Sequence, residues 1–218
     1  MKVTKLKFTK NGRRVSIFID GEFKLSVEKN VIADFSIFDD KSVDKEFIER
    51  IKEEDLIRRY LKKAEFLISK RPRSTFEIEQ YIKSKLYKDK SFNNDDRDKV
   101  IKKVISRLEK KEYLNDLEFA KWWIDNRVKF KPRGKYLITS ELRIKGVESD
   151  IIKKALSVNN FDTIKEFELA LRLGKKRVRL KGSLKDYNDI RKFVNYLARK
   201  GFSYDLAKMV VKKLSKLV

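Results

Sequence analysis

The groups able to do chemistry in this chain are lysines and arginines, and they gather where the helical pattern breaks. Lys70, Arg71 and Arg73 flank Pro72. Arg127, Lys129, Lys131, Arg133 and Lys135 flank Pro132, Lys145 stands beside Gly146, and Lys175, Lys176, Arg177, Arg179 and Lys181 close a later helical run. Such clusters hold phosphate or carboxylate groups. Two readings stay open for each. Basic side chains at a helix C-terminus complement the helix dipole, or the clusters align along one side of a stacked array and track a polyanion or an acidic protein groove. Other chemistry is scarce. The chain has no histidine and no cysteine, which removes the commonest general base, the thiolate nucleophile and the common zinc ligands. No GxxxxGK[ST] or GxGxxG cradles a phosphate. The carboxylate pairs Asp95/Asp96 and Asp186/Asp189 fall in loops or caps among basic residues rather than on a rigid acidic scaffold. The expectation is a binding protein, not an enzyme, with no cofactor and no metal.

Charge sharpens that expectation. The formal net charge is +23 over 218 residues. Residues 1–55 are neutral, whereas 56–112, 113–160 and 161–218 carry +9, +4 and +10. A field of this size attracts phosphate backbones, acidic proteins or anionic lipid, and it also keeps a protein soluble. Adjacent Trp122 and Trp123 and nearby Tyr113 are candidates for base stacking. Two tryptophans in sequence cannot share one helix face, so Trp123 is assigned to the core, and Trp122 is left open between interface use and edge packing. No run approaches eighteen apolar residues, so no membrane span is expected. The N-terminus MKVTKLKFTKNGRR lacks the apolar centre of a signal peptide. The absence of cysteine fits a reducing cytoplasm.

These groups must be held by elements that the periodicity supplies. Val3–Phe8 alternates, Asn11-Gly12 and Asp20-Gly21 are hairpin turn signals, and Val15, Ile17, Ile19 and then Phe23, Leu25, Val27 mark inward faces. This predicts a three-stranded antiparallel meander, followed by a connector over 29–38. Beyond Ser42 or Asp44 the apolar period becomes helical. A helix with a break near Glu53–Asp55 ends at Arg71-Pro72. The next starts at Ser74 or Thr75, with Phe76, Ile78, Ile82 and Leu86 inward. A polar loop over 88–98 leads to a third helix carrying Val100, Ile101, Val104, Ile105 and Leu108.

That plan then recurs. Asn115 or Asp116 opens a helix with Phe119, Ala120, Trp123, Ile124 and Val128 inward. Pro132-Arg133-Gly134 breaks it, and the next helix has Tyr136, Ile138 and Leu142 inward. It stops at Gly146, and Ser149 or Asp150 opens another. A looser third copy has Ile164, Phe167, Leu171 and Val178 inward on its first helix, then helices over 187–200 and 205–217 separated by Gly201. RPRS at 71–74 is echoed by KPRG sixty residues later, and the Lys-Gly of 145–146 by that of 200–201. A fixed period indicates stacked copies. The predicted fold class is mainly α: an elongated array of three tandem three-helix repeats (51–112, 113–160, 161–218) preceded by the small antiparallel β-meander and connector (1–50).

The motifs in order are R-P-R-S at 71–74, Y-L-N-D at 113–116 followed by Phe119-Ala120, R-x-x-x-K-P-R-G at 127–134, and E-L-x-x-K-G at 141–146. In this the chain resembles the RecX regulatory proteins of bacteria over roughly residues 56–218, and its meander resembles that of the longer Gram-positive members. One departure is the stretch Ser84 to Asn94, which stands where a Lys-Gly is expected in the first copy. The resemblance implies a non-enzymatic modulator of the RecA recombinase, and the chain is expected to be a cytoplasmic monomer. Such a modulator binds the groove of the RecA–single-stranded-DNA filament, inhibits ATP hydrolysis and strand exchange, and in some members binds DNA directly. Those functions belong to DNA recombination, repair and the SOS response. The contact residues expected here are Arg71, Arg73, Arg127, Lys131, Arg133, Lys135, Lys145, Lys175, Lys176, Arg177 and Arg179. The alternative is a stand-alone DNA- or RNA-binding helical protein acting through the same basic face.

Overall fold

The structure is a computed structural model that describes residues 1–87, 94–181, 184 and 186–215. Three strands, β1 (Val3–Phe8), β2 (Arg14–Ile19) and β3 (Glu22–Glu28), form an antiparallel sheet in chain order. Gly12 and Gly21 turn the two hairpins with φ of 64° and 87°, a region open to glycine at little cost. Val3, Ile17, Ile19, Leu25 and Val27 form one buried face. The short helix α1 (Lys29–Asp34), the connector residues Ile37 and Val43, and Ile48 and Ile51 of α2 (Lys45–Lys70) complete that core. Phe23 departs from the expected inward set. The β2–β3 register shifts between Ile17 and Phe18, so Phe18 pairs with Phe23 while Ile17 pairs with Leu25. This bulge turns Phe23 onto the opposite face, where it is 59% exposed.

The second helix runs unbroken through Glu53–Asp55, where a break was expected. Asp55 is buried because its carboxylate accepts from the Glu28 backbone N–H (2.7 Å), Arg14 (2.8 Å) and Arg59 (3.3 Å). A buried charge so bonded is tolerated. Asp44 rather than Ser42 starts the helix, accepting from the Phe47 N–H. Next come α3 (Thr75–Leu86) and α4 (Asn94–Lys110). Helix begins inside the expected polar loop, whose residues 88–93 lie outside the described ones. Val100, Ile101, Val104, Ile105 and Leu108 are all buried as the stripe predicts. Arg107 grips Glu54 through two bonds of 2.8 and 2.6 Å, tying α4 to α2. Burial raises the Glu54 pKa, but hydrogen bonds and charge from Arg107 and Arg58 outweigh it and leave it lowered.

Among the described residues six further helices follow: α5 (Asp116–Lys129), α6 (Lys135–Ile144), α7 (Ser149–Val158), α8 (Thr163–Lys181), α9 (Tyr187–Arg199) and α10 (Tyr204–Ser215). The strongest helix–helix packing joins α2 to α4, α5 to α7 and α8 to α10. The first and third helices of each triplet therefore lie together. Helices α6 and α9 end alike: Gly146 (φ 75°) and Gly201 (φ 89°) turn left-handed, and the next N–H reaches back to Leu142 or Leu197. The core of these helices is built on Phe119, Ile124, Ile138, Leu142, Phe193, Leu197 and Val210. Some residues expected inward are not. Tyr136 is 79% exposed and Ile164 70%, while Leu169, Ala170 and Gly174 form the buried stripe of α8. Residues 1–70 with 79–113 form one compact unit, and 71–78 with 114–218 form another.

Candidate functional site

The first break, at 71–78, is organised around a carboxylate. Ser74 caps α3: its Oγ accepts from the Glu77 N–H at 3.1 Å, while the Glu77 side chain approaches the Ser74 N–H at 3.4 Å. The same Glu77 accepts from Arg71 (2.8 and 3.1 Å) and from Lys145 Nζ (2.9 Å), and Arg73 stands 3.9 Å away. Burial opposes ionisation of Glu77, but the bonds and charges of Arg71 and Lys145 prevail and hold its pKa at about 2. Arg73 is lowered, first by burial and then by repulsion from Arg71. Its Nε is enclosed without a hydrogen-bond partner. Three of the expected contact residues, Arg71, Arg73 and Lys145, thus converge on one acid.

Beside them lies Trp123. Contrary to its assignment to the core, the indole is half-buried. The Arg127 guanidinium sits 4.2 Å and Lys145 Nζ 4.5 Å from its ring centroid, both within cation–π range. Trp123 Nε1 and Arg127 Nε donate to the Glu141 carboxylate at 2.9 and 2.6 Å. A tryptophan with a polar partner and two cations belongs at a half-open edge rather than in an apolar centre.

The two repeated motifs meet the two Lys-Gly corners. Ser74 Oγ donates to the Lys145 carbonyl (2.7 Å), and Phe76 packs on Gly146. Sixty residues on, the Gly134 N–H donates to the Lys200 carbonyl (2.8 Å), and Leu137 packs on Gly201. An acid from another helix serves the helix start each time: Asp116 accepts from the Thr75 N–H (2.8 Å) and Glu166 from the Lys135 N–H (2.6 Å). These carboxylates satisfy first-turn donors that the helix itself leaves open. Burial raises the Glu166 pKa against the opposing Lys135 bond and charge.

The second break lacks the neutralising acid of the first. Aligned sixty residues apart, Glu77 is replaced by Leu137. Lys131 and Lys135 are exposed, and the half-buried Arg133 has an enclosed Nε without a partner. Among the described residues no side-chain bond or ion pair neutralises these three. The same holds for Lys175, Lys176 and Arg179 on the last turns of α8, which are exposed. Arg177 lies over the Tyr196 ring at 4.4 Å. Of these acids the sequence reading named Asp116 as a helix cap and Glu141 within E-L-x-x-K-G, but it gave none of Glu77, Asp116, Glu141 and Glu166 a partner. A local signal for Glu77 existed in its place as the fourth residue of Ser74-Thr-Phe-Glu77. Among the described residues no group of three or more acidic side chains could hold a metal, and no helix is long and apolar enough to cross a membrane.

Three family models match the chain: the N-terminal domain of regulatory protein RecX at 1–44, the second three-helix domain of RecX at 115–156, and the third at 165–211. The regulatory protein RecX of Bacillus subtilis (strain 168) is 33% identical over 202 residues, covering 90% of this chain and 70% of that protein. That of Bacillus licheniformis is 29% identical over 205 residues, covering 94% and 74%. A crystal structure of regulatory protein RecX superposes with a TM-score of 0.74 at 21% identity, over 97% of this chain and 98% of that one. RecX from Lactobacillus salivarius gives 0.61 at 24% identity, over 75% and 99%. At these identities the two structures speak for the fold alone. Identity of 33% across nine-tenths of the chain, with three matching domain models, goes further: the chain belongs to the RecX family of regulatory proteins.

Proposed function

We propose that this protein is a negative modulator of the RecA recombinase. It acts as a single chain in the cytoplasm, lodging in the groove of the RecA–single-stranded-DNA filament and inhibiting ATP hydrolysis and strand exchange during recombination and repair. Family membership supports the regulatory reading. The observation that carries the binding mode is the set of cations whose side chains form no ion pair among the described residues: Lys131, Arg133, Lys135, Lys175, Lys176 and Arg179. A filament groove lined by phosphates and acidic side chains offers what they lack. Arg71, Arg73, Arg127, Lys145 and Arg177 are engaged inside the fold by Glu77, Glu141 and Tyr196, and serve structure rather than the partner. The test is RecA-dependent ATP hydrolysis on single-stranded DNA with increasing protein. Hydrolysis should fall as the protein binds the filament; an unchanged rate with no filament binding overturns the proposal.

The same free cations favour a second reading, binding to naked nucleic acid. It predicts affinity without RecA and a steep salt dependence, with log K falling by about 0.7 per neutralised phosphate on single strands. Inhibition of RecA that persists where naked-DNA binding is negligible counts against it.

A further inference from the structure

We infer that the open face of the N-terminal sheet is a second, separate binding site, for single-stranded nucleic acid. The site goes beyond the filament reading and needs no recombinase. The sheet buries Val3, Ile17, Ile19, Leu25 and Val27 on one side. Across the other, the strand pairing builds one row of Lys5, Phe18 and Phe23, and a second of Lys7, Ser16 and Ser26. The β2–β3 bulge is what places Phe23 in the first row. Phe18 and Phe23 meet edge-to-face, with centroids 5.9 Å apart and planes at 73°. Phe23 remains 59% exposed.

An aromatic left open in this way has no use in the core of its own unit. The cations beside it point to the occupant. Lys5, Lys7 and the bulged Lys24 are exposed, and among the described residues no carboxylate pairs with them. The nearest acids along the chain are accounted for or lie off the row: Asp20 accepts from the Lys2 N–H at the hairpin, and Glu22 pairs with Ile19 at the strand end. Lysine is a mobile point charge suited to backbone phosphates, whereas carboxylates of a protein partner are better met by arginine forks. An exposed aromatic ring suits stacking by a base of any identity. A duplex keeps its base faces stacked internally, so only a single strand fits both features. Lys5 and Lys7 project two residues apart along β1, about 7 Å, which lets them follow successive phosphates.

The test uses the full chain and an oligothymidine carrying 5-iodouracil, which photocrosslinks to stacked aromatics, with peptides mapped by mass spectrometry. A crosslink at Phe18 or Phe23 is expected. Phe23→Ala should raise the concentration at half-maximal crosslinking about 5- to 150-fold, the range for a lost base–aromatic stack. Phe23→Tyr should preserve it. The pair Lys5→Glu and Lys7→Glu should weaken it and flatten its salt dependence by about 1.4 in the log–log slope. Reversal of Lys175, Lys176 and Arg179 should leave this crosslink in place, which separates the sheet site from the helical cations. Crosslinks confined to the helical region, or sheet crosslinks indifferent to Phe23→Ala, would overturn the inference. An unchanged melting temperature and circular dichroism spectrum confirm that the variants fold.

Discussion

Replacing Glu77 with glutamine tests the corner at its centre. Glutamine keeps the length of the side chain and its capping bond, so the change removes charge and little else. In the folded protein the pKa of Glu77 is about 2, against 4.5 unperturbed. That difference corresponds to about 3 kcal/mol of stability at neutral pH, since each pKa unit is worth about 1.4 kcal/mol. Because the folded pKa is depressed, the contribution is complete well above pH 4.5. It is lost as pH falls from there toward 2. Both tryptophans lie on α5, in the unit containing residues 71–78, so tryptophan fluorescence during urea unfolding reports that unit. At pH 7 the variant should be less stable by about 2–3 kcal/mol. At pH 3.5 the gap should have narrowed by about 1.4 kcal/mol, because the unfolded carboxyl is by then mostly protonated. A gap below about 0.5 kcal/mol at pH 7, or one of equal size at both pH values, would refute the claim that Arg71 and Lys145 are held by this charge.

Two further changes test the corners and the tryptophan. A methyl group at Gly134 would come within 3.0 Å of the Gly201 carbonyl, closer than real Cβ atoms approach backbone. Gly134→Ala should therefore cost about 3 kcal/mol in urea unfolding, and a cost near zero would mean that the two corners do not interlock. Trp123→Ala removes a half-buried ring with two cations and one carboxylate bond. It should cost about 1–2 kcal/mol rather than the 3–5 of a fully buried tryptophan, and a loss in the higher range would return Trp123 to the core.

Local signals were legible in the sequence and long-range pairings were not. The hairpin glycines, the Lys-Gly corners and the stripe from Val100 to Leu108 each depend on neighbours within a turn or two, so periodicity and turn chemistry located them. Phe23 was assigned to the wrong face because alternation counts residues, and a bulge adds one without changing the pattern of types. Tyr136 and Ile164 read as inward because an apolar type was taken for a buried one, whereas exposed apolar residues are common at protein surfaces. The break expected at Glu53–Asp55 fails for a different reason. A mid-helix acid looks solvated until Arg14 and the Glu28 N–H arrive from the sheet, some 27 to 41 residues away. The basic breaks were visible, but which cations are neutralised depends on Glu77 and Glu141, whose partnerships with Lys145 and Arg127 cross helices.

That last point separates two motifs that look alike. RPRSTFE and KPRGKYL place a proline, an arginine and a helix start in the same order, and both dock on a Lys-Gly corner. The first carries Glu77 and spends its cations on it; the second carries Leu137, and among the described residues Lys131 and Arg133 have no acid while Lys135 meets Glu166 through its backbone N–H and not through a side-chain ion pair. Neutralising the two breaks should therefore give opposite results. Arg71→Gln with Arg73→Gln removes a bidentate partner of Glu77, and should cost about 1–3 kcal/mol in stability while barely altering binding to single-stranded DNA or a RecA filament. Lys131→Gln, Arg133→Gln and Lys135→Gln together should leave stability within about 0.5 kcal/mol and weaken binding, with a shallower salt dependence. If the first pair weakens binding as much as the second set, the Glu77 cluster is itself a contact surface. The replacement of one acid by leucine would then not be what divides structural from binding charge.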